Sequence, residues 1–114
     1  MLKVEFKKYE DTISLMLDGH AYHDSKGHDI VCAAGSILAY TVAQIVRSET
    51  ADRNMKDEPV LELGNGYTYI SCRPKTEKYD EILHAFYVAE VGYRLLNHKY
   101  PQCVDVDVSM FGEA

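Results

Sequence analysis

The stretch GHAYHDSKGHDIVCAAGS, residues 19–36, carries an imidazole at His20, a thiol at Cys32 and a carboxylate at Asp29. A thiol becomes a nucleophile when a neighbouring base takes its proton and nearby N–H groups hold the oxyanion formed on attack, so this trio has the parts of a cysteine hydrolase. The same stretch offers His20, His23, His28 and Cys32 as four N/S ligands of the kind zinc prefers. Structural zinc sites pair their ligands in tight knuckles or on one helix turn, and a single cysteine with three loop histidines fits neither pattern. No metal or other cofactor is therefore expected. Asp105 and Asp107 share one face of a late strand and read as its wet side.

Position decides whether the trio can act. Gly19 and His20 follow an alternating apolar run, and a helical pattern begins at Asp29. With Asp29 as the N-cap, Cys32 is the third residue of a helix, where amides lack intrahelical partners and the helix dipole favours a thiolate. Asp29 has two readings, as the cap or as the anion that orients His20. Beside the thiol itself it would oppose ionisation. Gly19 and Gly27 bracket a loop from Ala21 through Tyr22 to His28, which is expected to close over an extended peptide. Ser36, one turn beyond Cys32, is expected to back-bond to the helix carbonyl and is left outside the catalytic set. Cys72 and Cys103 have no base near them in sequence and read as structural.

The elements that must hold these groups are legible from periodicity. Leu2, Val4 and Phe6 alternate with charged residues, and Ile13, Leu15 and Leu17 repeat the pattern after Tyr9-Glu10-Asp11, which predicts two strands and a tight turn. Ile30, Ala34, Ile37, Leu38, Thr41, Val42 and Ile45 predict a helix from Asp29 to about Arg47, ended by the polar run SETADRNMKDE. VLELGNGYTYISCR reads as a hairpin around Gly64-Asn65-Gly66. Residues 79–98 return to helical spacing through Ile82, Leu83, Phe86, Ala89, Tyr93 and Leu96, and VDVDVSM after Pro101 reads as a last strand. The order ββαββαβ predicts one α/β sandwich domain over residues 1–114, with a mostly antiparallel sheet and both helices on one face.

A chain of 114 residues at 46% apolar content is the size of one domain. Its net charge of −6 argues against direct nucleic-acid binding and favours a basic protein partner. No run of eighteen uncharged apolar residues is present, so no membrane partner is expected. The charged, alternating N-terminus is unlike a signal peptide, and the chain reads as cytoplasmic. Three cysteines in such a compartment point to reduced thiols rather than a disulfide framework.

Gly19-His20-Ala21, the eleven residues between His20 and Cys32, then Asp29-Ile30-Val31-Cys32-Ala33-Ala34 and Ser36, resemble the ribosomal-processing cysteine protease family, Prp. Members of that family remove a short N-terminal extension from a bacterial large-subunit ribosomal protein. The resemblance implies that His20 and Cys32 form the catalytic dyad and that Asp29 supports it. It also implies a homodimer, which the exposed edges of a single sheet make plausible, and a substrate with an apolar, aromatic-containing extension cut ahead of a small residue on a basic body. Two positions depart from the family pattern: Gly35 replaces a branched aliphatic, at about 1 kcal/mol relative to alanine in a helix, and Tyr22 replaces a small residue beside the substrate. The rival reading is a non-catalytic module of the same fold that grips a ribosomal protein or the ribosome.

Overall fold

The computed structural model describes residues 1–19 and 28–107; the side chains of 28 and 29 are outside the described set. Alternation builds the sheet. Strand β1 (Leu2–Tyr9) turns at Glu10, whose φ is +54°, into β2 (Thr12–Asp18), and the two pair antiparallel with Val4 opposite Leu17 and Phe6 opposite Leu15. Strands β3 (Val60–Gly64) and β4 (Tyr67–Cys72) form the second hairpin, with Gly66 at φ +87° supplying the backbone angle its turn needs. Strand β5 (Val104–Asp107) joins β1 in parallel, giving the order β3-β4-β2-β1-β5. The sheet is mixed and mostly antiparallel, and two helices cover one of its faces. The rest of the predicted last strand, from Val108, lies outside the described residues.

Helix α1 (His28–Ala51) is longer at both ends than the sequence pattern predicts. Ser48, Glu49, Thr50 and Ala51 continue it. It stops at Arg53, which takes a left-handed φ of +63° while the Asn54 amide donates to the Glu49 carbonyl. The start at His28 makes Asp29 the second helical residue rather than the cap, and Cys32 the fifth. The buried stripe also differs from the expected one: Val31, Ala39, Val42, Ala43 and Val46 face the core, whereas Ile30 and Ile37 are exposed. Apolar residues occupy more than one face of α1, and the face with the small residues Gly35, Ala39 and Ala43 is the one that can approach its neighbours closely.

Helix α2 (Tyr79–Lys99) follows a short 3-10 turn at 76–78 and buries Ile82, Phe86, Ala89 and Tyr93, as its spacing predicts. The Tyr93 ring packs edge-on against Phe6, its hydroxyl donates to the Gly35 carbonyl at 2.7 Å, and burial pushes its phenol up. A Cβ on Gly35 would stand 3.0 Å from the Leu2 Cδ2 and 3.7 Å from the Tyr93 ring. This glycine, a departure from the family pattern, fits a close α1–α2–β1 junction in which a branched side chain would displace Leu2. The segment Ile30–Ala51 of α1 is long and apolar enough to cross a membrane by length and composition, although it contains no unbroken run of eighteen uncharged apolar residues. Here its small-residue face is used to pack on the sheet and α2.

At the far end of the sheet, the Asp11 carboxylate accepts hydrogen bonds from Lys56 Nζ at 2.8 Å and Arg73 Nε at 3.2 Å, and Arg73 Nη1 also reaches Asp57 at 2.6 Å. These bonds tie the β1–β2 turn to the segment after α1 and to the end of β4. They hold the Asp11 carboxyl at about 2, down from 3.8, chiefly through the Lys56 bond and then the Arg73 bond. A carboxyl whose folded pKa is lowered favours the folded state above its unfolded pKa and loses that contribution as pH falls through the folded one. Acid unfolding between about pH 4 and pH 2 is thus expected to be shallower in Asp11→Asn, a change small in size because the pair is exposed; circular dichroism across that range checks it.

Candidate active site

Three segments meet at the end of the sheet where β2 stops. Gly19, just past β2, has φ +95° and donates its amide to the Gly66 carbonyl at 2.9 Å. A Cβ there would lie 2.7 Å from the Met1 carbonyl oxygen, so backbone angle and space both require glycine. The chain leaving β2 is in this way fixed between the N-terminus and the β3–β4 turn. Across from it, Cys32, Ser36 and Tyr40 succeed one another at four-residue steps and form one ridge of α1.

Between that ridge and the β3–β4 hairpin lies a cleft of about 280 Å³. Leu2, Leu17, Leu63 and Thr68 provide apolar and hydroxyl surface, the hairpin residues from Gly64 to Tyr67 form one wall, and Gly19 and Cys32 both line the space. Leu63 and Leu17 are both registered against Thr68, so the three form one rung across β3, β4 and β2.

Cys32 is half-buried at this cleft, while Cys72 and Cys103 are buried in the core. Burial pushes the Cys72 thiol up to about 12, which leaves it protonated at neutral pH. A mild alkylating agent at pH 7 is therefore expected to label Cys32 faster than either other thiol by on the order of tenfold or more; peptide mapping after partial labelling checks it, and equal labelling would remove the basis for a reactive Cys32.

As the fifth residue of α1, Cys32 directs its own amide to the His28 carbonyl in the i to i−4 register. The amides without intrahelical partners are those of the turn before it. Gly19 and Cys32 are thus brought to one cleft. His20, Ala21, Tyr22 and Gly27 lie outside the described residues, as does the side chain of Asp29. Of the four residues in the zinc alternative, Cys32 alone has a described side chain, and among the described residues no three His, Cys, Asp or Glu groups gather as for a metal ion. Ser36, set aside on sequence grounds, lines the cleft. Tyr40, Leu63, Asn65 and Tyr67 are cleft residues that the motif does not indicate, although stepping from Cys32 by helical turns leads directly to Tyr40.

The two-layer ββαββαβ domain presents the half-buried thiol of Cys32, on its first helix, to this cleft. Comparison with known proteins supplies the class. The sequence profile of the cysteine protease Prp family matches residues 1–105, and the chain belongs to that family. Its fold is similar to that of the essential ribosomal-processing protease Prp from S. aureus in complex with a substrate peptide, at 20% identity and a TM-score of 0.71, covering 94% of this chain and 98% of that one. SMU.848 from Streptococcus mutans is similar at 22% identity and a TM-score of 0.65, covering 94% of this chain and 92% of that one. A hypothetical protein from Staphylococcus aureus follows at 13% identity and 0.58, covering 94% and 98%. No curated protein matches this chain in sequence.

Proposed function

We propose that this chain is a cysteine endopeptidase that removes the N-terminal extension from the precursor of a basic bacterial large-subunit ribosomal protein. The observation that carries the reading is that Gly19, which precedes His20 in the chain, and Cys32 line the same cleft. His20 takes the Cys32 proton, and the thiolate attacks the scissile carbonyl carbon. The resulting oxyanion is held by first-turn amides of α1. Collapse of the tetrahedral intermediate breaks the C–N bond, with the imidazolium of His20 giving its proton to the leaving amine and leaving the acyl group on sulfur as a thioester. Water, deprotonated by His20, then hydrolyses the thioester and restores the thiol. Asp29 supports the imidazolium, and the segment from Ala21 through Tyr22 to Gly27 covers the bound peptide.

The net charge of −6 supports a basic protein body as partner rather than nucleic acid. The β3 and β5 edges of the sheet support self-pairing as a homodimer, and cytoplasmic action follows from the ribosomal substrate. Incubating the reduced chain with precursor and weighing the products tests the function. A single cut that releases the extension, in the presence of chelator, is expected. Tight binding without any cut would favour the non-catalytic module instead.

A further inference from the structure

We infer that Tyr40 and Leu63 form a side-chain subsite that reads an apolar or aromatic substrate residue three to four positions from the scissile bond, an inference that rests on the peptidase reading of Cys32. The ridge Cys32–Ser36–Tyr40 lines the cleft along its length, with the rung Leu63–Thr68–Leu17 beneath it. Eight helical residues at a rise of about 1.5 Å put Tyr40 roughly 12 Å along α1 from Cys32. An extended peptide advances about 3.3 Å per residue, so a chain held at Cys32 reaches Tyr40 after three to four residues.

The chemistry at that end suits a large apolar side chain. Tyr40 is 50% exposed although it lines a concave surface, and Leu63 is only partly buried against the core. Both thus have apolar surface to lose to a ligand. No acidic or basic side chain is among the described residues that line the cleft. An aromatic or branched aliphatic residue would cover this surface, whereas a charged one would be desolvated without a partner. Peptide selectivity would then come from the α1 wall as well as from the chemistry at the thiol.

The test moves one phenylalanine through five positions on each side of the cut in an otherwise alanine-substituted extension peptide. Cleavage by the wild-type chain is measured, together with binding of the same peptides to Cys32→Ala by fluorescence anisotropy. Phenylalanine is expected to be preferred at the third or fourth position on one side. Tyr40→Ala should collapse that preference about tenfold in kcat/KM and in Kd, and Tyr40→Phe should retain it. A preference that Tyr40→Ala leaves intact, or one confined to the residue next to the cut, would overturn the subsite. If the wild-type chain cuts no peptide yet binding to Cys32→Ala shows the Tyr40-dependent preference, the subsite stands and the peptidase reading fails. If the peptides are cut without that preference, the peptidase reading stands and the subsite fails.

Discussion

Cys32→Ala is expected to abolish release of the extension, and His20→Ala to slow it by on the order of 10⁴-fold, with binding of the precursor retained in both. The nucleophile has no substitute: Cys72 and Cys103 are buried in the core, and the Cys72 thiol is held protonated by its surroundings. Binding is expected to persist because Leu63, Tyr40 and the hairpin wall line the cleft beside the thiol and are unchanged in Cys32→Ala. Single-turnover cleavage assays beside anisotropy measurements separate the two quantities. A Cys32→Ala variant that still cuts would remove the mechanism, and one that neither cuts nor binds would give the thiol a structural role.

The second large effect concerns stability. Glu90 on α2 is wholly buried, and Arg94 one turn later stands against it as an ion pair. Neither carboxylate oxygen accepts a hydrogen bond of good geometry from any described side chain or backbone group, so Arg94 supplies the compensating charge with little further support. Removing a partner from such a pair leaves a buried charge exposed to its full desolvation cost, whereas replacing both with apolar residues of similar volume is commonly neutral or favourable. Arg94→Met is expected to cost about 3 kcal/mol. Glu90→Leu combined with Arg94→Met is expected to recover most of that loss. Urea unfolding of the three chains checks it; a cost below about 1 kcal/mol for Arg94→Met would mean that the pair is solvated.

The residue type of Glu90 reads as surface, yet it stands four residues after Phe86 and three before Tyr93, on the stripe that α2 buries, so spacing and residue type disagree there. The strands are legible because the two agree. A sheet covered on one face needs strict alternation, and Leu2-Val4-Phe6 and Ile13-Leu15-Leu17 leave no other register that buries them. For α1 the helix is legible and its buried face is not, because Ile30, Ile37 and Tyr40 make a second face apolar. Small residues decide between the faces, Gly35 above all, through contacts with Leu2 and Tyr93 that are distant in sequence.

The same limit applies to the site. The motif points to His20, Asp29 and Cys32, which share a short segment. The cleft wall comes from a hairpin thirty residues away, whose turn is joined to the end of β2 by the Gly19 amide donating to the Gly66 carbonyl. Asp29 is the second residue of α1 and not its cap. If Asp29 orients the imidazolium of His20, Asp29→Asn should lower turnover while leaving the unfolding midpoint in place.

Covalent attachment of substrate to Cys32 is the step that distinguishes a thiol peptidase from every alternative. Rapid acid quench of the reduced chain during turnover of the precursor, followed by peptide mapping in a mass spectrometer, should find the released extension joined as a thioester to the peptide that contains Cys32, at a level that falls as product accumulates. An acyl adduct on any other residue, or full cleavage with no adduct at any time point and undiminished activity in Cys32→Ala, would contradict it.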